Sequence, residues 1–524
     1  MSTKRRYFSI LFILLMVLSC ENENFENKLL LNEQDNKVED VNYLKSKFSY
    51  ALARVLSESK EAREFIKREA LKQFDYDYDV LYVLVKDKYI DNTVTLEKLL
   101  LHFISKEEIE DLLIKIPTLT IFVPSLPLNS FSAELWNVDY DIPCVAYKDK
   151  NGKILFVNNK GDIDDTLDSD EIPLFPVVVL KPSERIVLQS TLTRGVSDLD
   201  LLRADNGTCF AFEYPEFNNV YLAKTRANSS NNIPEEMQKL FDAKKYADSE
   251  DIWQRDYIYY NILTKNGSGT LCRNISECLY AFQLNGNTDN IYHLVSDQGD
   301  DPYYGKYSSD RSDKKYCGWY GGNYEFIVKI YVSNDQLISN EIIKALSISP
   351  TDLFTLRVDR SNRSLRILGV DSLIKYYLPV PLPLFDWDIE HYSTSVKISI
   401  EERDENVTEQ NVIETTTTFA TNFGFDINFG EIVKKGAKFG ASVTKERKVS
   451  TTITRTLGSD ELGDVVVNFG DDIIVKNEME LVGVRTGSTR PDGSRVERPI
   501  YRPALNPKYN SGYYKLEIVP LAMY

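Results

Sequence analysis

The sequence predicts an α+β protein: a small N-terminal helical bundle followed by β-rich, sandwich-like antiparallel domains. Three observations carry this expectation. Residues 41–116 repeat their apolar side chains with the period of a helix. From Thr118 onward, short β-type runs alternate with Gly, Asp, Asn and Pro. The last 130 residues are almost wholly of strand composition. No self-similarity with a period of about 20 to 50 residues is visible, which argues against a propeller or a solenoid.

Composition narrows the function classes. The 524 residues carry 79 Asp plus Glu against 62 Lys plus Arg, with three His and six Cys, for a net charge of −17. The length suits three or four domains of about 100 to 200 residues. A chain that is 43% apolar and 27% charged is ordinary globular protein. Its acidic excess offers no electrostatic footprint to a phosphate backbone, so nucleic acid is not an expected partner. With His only at 102, 293 and 391, a multi-histidine metal centre is excluded.

The first 20 residues, MSTKRRYFSILFILLMVLSC, divide into a basic stretch, an apolar run from Tyr7 to Leu18 and a small residue before Cys20. This is the pattern of a signal peptide over 1–19, and its apolar run is shorter than the roughly 20 residues that a spanning helix needs. Val17-Leu18-Ser19-Cys20 resembles the bacterial lipobox, which implies that Cys20 is acylated and becomes the mature N-terminus. Removing 1–19 takes three cations and no acid, leaving a net charge of −20. Residues 20–43 are polar and acidic and read as a flexible tether. Glu21 and Glu23 resemble the export signals of Bacteroidetes surface lipoproteins, which implies an outer-membrane location facing the cell exterior.

The helical domain is expected over 44–117. Leu44, Phe48, Ala51, Leu52 and Val55 form one apolar stripe, and a second helix from about Glu61 to Phe74 turns Phe65, Ile66, Ala70 and Leu71 inward. TLEKLLLHFI and KEEIEDLLIKI follow, stopped by Pro117. A β-rich domain with a helical insertion at 234–247 is expected over 118–384. Its runs include LTIFVPS, PCVAYKD, GKILFVN and FPVVVLKP, with Asn151-Gly152 as a hairpin turn. A C-terminal antiparallel β domain is expected over 385–524.

Few segments carry a chemical motif. Asp75, Asp77 and Asp79 alternate as at the start of a calcium loop, but Val80 and Lys86 stand where an EF-hand needs Gly and Glu. Capping of a following helix, with Asp79 near the cap, is the preferred reading. Asp162, Asp164 and Asp168 in one loop and Asp297, Asp300 and Asp301 in another are candidate calcium ligands, and Ca2+ is the one cofactor considered. Beyond Cys20 five cysteines remain, among which Cys272 and Cys278 are close enough in sequence for a local bridge. No G-x-S-x-G, S-x-x-K with its partner motifs, H-E-x-x-H, Walker or dinucleotide motif is present, so no catalytic residue is assigned. A hydrolase using two carboxylates is kept as a second alternative, because such a pair has no fixed spacing.

Two features rise above background. Trp253, Tyr257, Tyr304, Trp319 and Tyr320 stand among Asp, Asn and Gly, a mixture suited to sugars, whose rings stack while their hydroxyls hydrogen-bond. Tyr257 and Tyr259 also have the spacing of a half-buried strand. The second feature is the stretch 414–457. Phe423, Phe425, Ile427 and Phe429 alternate with Asn422, Gly424, Asp426 and Asn428, and Phe439, Ala441 and Val443 alternate with polar residues. Val449 and Ile453 then alternate with Ser and Thr, which predicts a β-hairpin with one apolar face. Such a hairpin suits a transmembrane barrel, and equally a soluble sandwich. Its Thr run and Lys435-Gly436-Ala437-Lys438-Phe439 resemble the insertion region of aerolysin-type β-pore-forming proteins over about 45 residues.

FDYDYDVLYVLVKD, WQRDYIYYNI, LFDWDIEHYS and LGSDELGDVVVNFGDDIIV resemble blocks of uncharacterised Bacteroidetes lipoproteins with a helical N-terminal region and a β-rich remainder. The expected function is therefore that of a lipid-anchored surface lipoprotein, a non-catalytic binding protein for a glycan or protein ligand. Its membrane contact would be the N-terminal lipid. The first alternative is an aerolysin-like β-pore-forming effector.

Overall fold

The stripe Leu44, Phe48, Ala51, Leu52 and Val55 is buried on one helix, α1 (41–58). The structure, a computed structural model, describes residues 41–523 except 92, 165–166, 168–170, 190–200, 206, 219–232, 251, 264, 266–268, 297–317, 322, 335–337, 390, 404–407, 421–443, 457–460 and 490–494. The chain divides into two units, Met1–Glu213 with Arg360–Leu365, and Tyr214–Asp359 with Arg366–Tyr524. Strand outweighs helix and most strand pairs are antiparallel, as the β-rich α+β expectation has it.

In the first unit α1 is followed by α2 (Lys60–Ala70), whose N-cap Ser59 accepts a hydrogen bond from the Ala62 amide at 3.0 Å. Phe65, Ile66 and Ala70 are buried, whereas Leu71, expected inward, lies at the C-cap and is exposed. After β1 (Asp79–Leu81) come α3 (Tyr82–Val85), α4 (Leu96–Leu100) and α5 (Lys106–Lys115). Ser105 and Glu108 close a capping box at the start of α5, which ends just before Pro117. The helices do not stand apart from the sheet that follows. β1 pairs antiparallel with β2 (Leu119–Phe122), Asp79 facing Phe122, so strand pairing ties the helical segment to its neighbours.

The remaining strands are β3 (Cys144–Lys148), β4 (Ile154–Val157), β5 (Ile163–Asp164), β6 (Ile172–Pro173) and β7 (Val177–Pro182), and the six-stranded sheet runs β1-β2-β7-β3-β4-β5. The expected hairpin between β3 and β4 turns at Gly152, whose φ of 77° suits glycine. Among the described pairings of this unit one departs from the antiparallel expectation, because β3 and β7 run parallel. β7 is central, and Val177, Val178, Val179 and Leu180 are fully buried, which is why it reads as an unbroken apolar run. Each such side chain contributes roughly 1.5–3 kcal/mol. Ser364 and Leu365 pair with Pro173 and Ile172 of β6. β8 (Ile186–Leu188), β9 (Leu201–Arg203) and β10 (Cys209–Phe212) complete the unit as a small sheet.

The second unit opens with α6 (Gln238–Glu250), the expected helical insertion, and α7 (Gln254–Tyr260). Its strands are β11 (Ile275–Leu284), β12 (Tyr324–Ser333), β13 (Ile338–Ile348), β14 (Phe354–Arg360), β15 (Ser364–Leu373), β16 (Tyr376–Phe385), β17 (Ser395–Glu402), β18 (Thr408–Ala420), β19 (Thr444–Thr456), β20 (Glu461–Asn468), β21 (Ile474–Thr489), β22 (Arg495–Leu505) and β23 (Tyr514–Ala522). They form a three-stranded sheet β16-β11-β23, a six-stranded sheet β18-β19-β13-β12-β17-β20 and the ribbon β21-β22. Phe282 of β11 meets Phe326 of β12 with ring centroids 5.0 Å apart, and Tyr514 Oη of β23 donates to the Gly463 carbonyl at 3.0 Å, so two sheets share this core. The expected boundary at 384/385 is not a division between units. β11 pairs with β16 on one side and with β23 on the other, and so gathers 275–284, 376–385 and 514–522 into one sheet.

Candidate functional site

The second unit contains a nested hairpin built from four strands. In its outer half β17 pairs with β20, Ser395 facing Asn468 and Glu401 facing Glu461. In its inner half β18 pairs with β19 over 13 uninterrupted positions, from Thr408 opposite Thr456 to Ala420 opposite Thr444. β-Branched residues dominate these strands, with five Thr in β18 and β19 holding Val449 and Ile453. The register sorts them into two faces. One set pairs Thr408, Gln410, Val412, Glu414, Thr416, Thr418 and Ala420 with Thr456, Thr454, Thr452, Ser450, Lys448, Glu446 and Thr444, and the other pairs Asn411, Ile413, Thr415, Thr417 and Phe419 with Ile453, Thr451, Val449, Arg447 and Lys445, so both mix polar and apolar residues. That second face also carries Glu409, Lys445, Arg447 and Arg455, a charge content the expectation of an apolar face had not included.

The two halves are held differently. β17 pairs with β12 from Lys397 opposite Tyr331 to Glu402 opposite Phe326. Buried Lys329 of β12 meets buried Glu401 of β17 at 2.6 Å, and Arg403 pairs with Glu325 beside it. Breaking a buried pair of this kind costs about 3–5 kcal/mol. Among the described residues, the inner half meets the rest of the sheet through β19 and β13, Ile338 pairing with Ser450 and Ser339 with Thr451, and this pairing is parallel.

The residues singled out in the sequence are scattered. Val449 is buried at 1% exposure, and Ile453 occupies a β19 position whose side chain lies outside the description. Phe439, Ala441, Val443, Tyr304, Asp168, Asp297, Asp300, Asp301 and Cys20 lie outside the described residues. Trp319 and Tyr320 are 3% and 6% exposed and face each other at 5.9 Å, so their rings serve the core. Trp253 and Tyr257 belong to the start and body of helix α7, not to a strand. Trp253 packs on Phe469 and over Gly470, where a Cβ would come within 3.0 Å of the indole, and Tyr257 stacks near Tyr246 at 4.8 Å. Both stay half-exposed. Asp162 is exposed, whereas Asp164 is bound to Arg363 at 2.8 Å. Among the described residues no group of three or more His, Cys, Asp or Glu is arranged to hold a metal ion. Cys272 and Cys278 are both free thiols, and burial in β11 pushes the Cys278 thiol up to about 12.

Two ionic clusters escaped sequence reasoning. Asp75, Asp77 and Asp79 are buried and do not cap a helix, because Asp79 begins strand β1. Arg185 Nη1 donates to the Asp75 carbonyl at 2.8 Å and its Nη2 meets Asp77 at 3.5 Å. Burial pushes the Asp75 carboxyl up to about 6, opposed by Arg185 and aided by Asp77, and burial also holds Asp79 well above the usual carboxylate range. Lys181, although burial works against its charge, is raised by Glu184, Asp79 and Asp77. In the second unit fully buried Arg255 pairs with fully buried Glu277 at 2.7 Å and donates to the Asp471 carbonyl at 2.7 Å. Trp387 Nε1 donates to Glu277 at 2.9 Å, so every charge in that node is matched. The partners of each cluster stand some 20 to 200 positions apart in sequence, and no local signal announces them.

No family model, no curated protein and no solved structure matches the chain. Among the described residues no helix is long and apolar enough to cross a membrane, which leaves crossing by strands open.

Proposed function

We propose that this chain is a secreted surface lipoprotein, anchored through Cys20, whose C-terminal unit acts on a membrane as a β-pore-forming effector. One observation carries the reading: the register of β18 and β19. Its 13 positions step one for one, odd residues facing odd and even facing even. In the sequence between Ala420 and Thr444, which lies outside the described residues, positions 423, 425, 427, 437, 439 and 441 are apolar, while Asn422, Gly424, Asp426, Lys438, Gly440 and Ser442 stand between them. A pairing that continued that of β18 and β19 unbroken would put both apolar alternations on one face and set Asp426 opposite Lys438. The arms 421–429 and 435–443 have nine residues each, at the lower end of the roughly 9–11 that a tilted strand needs to cross a bilayer.

The same register supports a part that stays in water. Glu409, Lys445, Arg447 and Arg455 share the continuation of the apolar face, and a cation facing lipid at the midplane costs about 2–4 kcal/mol. The β18–β19 positions therefore form a stem outside the bilayer. The test is dye release from vesicles by purified protein. Wild type is expected to release dye, and Phe439→Asp or Val443→Asp to lower the rate at least about tenfold, as lipid-facing charges should, with unchanged circular dichroism. Silence of the wild type on every vesicle would dispose of the reading.

A second reading, capture of a glycan or protein at the cell surface without insertion, is supported by half-exposed Trp253 and Tyr257 on α7. It predicts array binding that Trp253→Ala abolishes while dye release is unaffected.

A further inference from the structure

We infer that Trp253, seated on Gly470, is the stacking platform of a sugar site that takes neutral hexopyranose glycans. This deepens the second reading above, capture of a glycan, and rests on that reading, not on membrane insertion. Glycine at 470 gives the first step. Its φ lies outside the left-handed region, so the backbone there suits any residue and the turn itself does not call for glycine. The indole does. A Cβ at 470 would come within 3.0 Å of Cε2, 3.1 Å of Cζ2 and 3.3 Å of Cδ2 of Trp253. Cδ2 and Cε2 are the carbons shared by the two rings, so the indole lies with its face, not its edge, on the Gly470 backbone.

The residues after Trp253 give the second step, because they bind the turn that carries Gly470. Gln254 Oε1 accepts from the Ile473 and Ile474 amides at 3.1 and 3.0 Å, and its Nε2 donates to the Ile474 carbonyl at 2.9 Å. Arg255 donates to the Asp471 carbonyl at 2.7 Å while its buried pair with Glu277 ties α7 to β11. The Trp253 amide donates to Asp256 at 3.2 Å. Ring and turn are thus fixed to each other before a ligand arrives, which spares the ordering cost of a mobile side chain. Stability alone does not explain an open ring: Trp136, Trp319 and Trp387 are 1%, 3% and 1% exposed, whereas Trp253 reaches water.

The surroundings give the ligand. An indole held on one face offers its other side to the C–H face of a pyranose. Tyr257, half-exposed and 4.8 Å from Tyr246, stands one helical turn further along α7, about 5.4 Å, and so extends the aromatic surface to a second sugar unit. Partners for hydroxyls are at hand in exposed Asp472, which accepts from Gln254 at 3.4 Å, and exposed Lys508, which meets Asp471 at 2.5 Å. Two carboxylates beside one ammonium leave the site negative, which suits a neutral sugar and repels a uronic or sialic acid.

The test uses the full chain on an array of β-galactosides, β-glucosides and mannosides beside uronates and sialosides. The sugar bound best is then titrated against acrylamide quenching of tryptophan fluorescence. Of the four tryptophans Trp253 alone is not buried, so the quenching reports on it. The expected result is binding to neutral glycans that protects Trp253 from acrylamide and is at least about tenfold weaker in Trp253→Ala and in Gly470→Ala, with unchanged circular dichroism. Protection is read on the wild type and decides the matter even where Gly470→Ala fails to fold. A preference for acidic glycans that Trp253→Ala abolishes would overturn the sugar class and leave glycan capture standing. Neutral binding that leaves the quenching unchanged, or that Trp253→Ala does not weaken, would overturn the site. Silence across the array would overturn the site and glycan capture together.

Discussion

At the scale of single residues, burial turns ordinary acids into conditional ones. Asp75 has no exposure to water, and its carboxyl is pushed up to about 6 mainly by that burial. The native state then holds its proton more tightly than the unfolded chain, whose carboxylate titrates near 4. Its stabilising contribution is full below about pH 4 and is lost as pH rises through about 6. Asp75→Asn stays neutral throughout. Relative to wild type its unfolding free energy should therefore rise between about pH 4 and pH 7, by at most about 2–3 kcal/mol. A pH-independent difference in urea unfolding would refute the assignment. The alternation in FDYDYD was legible, but its meaning was not, because Arg185 and Lys181 lie more than 100 residues away.

Elements were read best where the local pattern and the tertiary need agree. α1, α5 and the Asn151-Gly152 hairpin follow from stripe, capping box and turn chemistry, and each is found where the residues dictate. The two-residue spacing of Tyr257 and Tyr259 suits a strand, yet both belong to helix α7. The helix instead buries Ile258, Tyr259 and Tyr260 together and ends at Asn261 in a left-handed conformation, φ 51°. β16 is an outer strand of its sheet and carries Pro379, Pro381 and Pro383, whose missing amides fall on alternate positions and blunt pairing along that side. The inner hairpin, by contrast, has no proline in either arm. Its proposed continuation makes a prediction of its own: Asp426→Lys or Lys438→Asp alone should slow dye release, and the double exchange should recover most of it. Equal damage from the double exchange would show that the two are not matched across strands.

For the whole molecule, the class was legible and the partition was not. A β-rich α+β chain follows from composition and periodicity. The division at Glu213/Tyr214, with Arg360–Leu365 counted in the first unit, depends on pairings such as Ser364 with Pro173, which no local signal encodes. The aromatic density from 253 to 324 had suggested a ligand surface, yet Tyr259, Tyr260, Trp319, Tyr320 and Tyr324 are buried. Aromatic residues supply the largest apolar area per residue, and a unit of this size uses them for its core first. What then distinguishes the C-terminal unit is the β18–β19 hairpin, with two apolar alternations in the sequence between its strands. The most direct measurement is an environment-sensitive fluorophore at each position from 437 to 443 in turn, read with a quencher confined to the bilayer. Quenching is expected at 437, 439, 441 and 443, with little at 438, 440 and 442, once vesicles are present. Uniform behaviour along those seven positions, or no quenching at any of them while dye escapes, would contradict it.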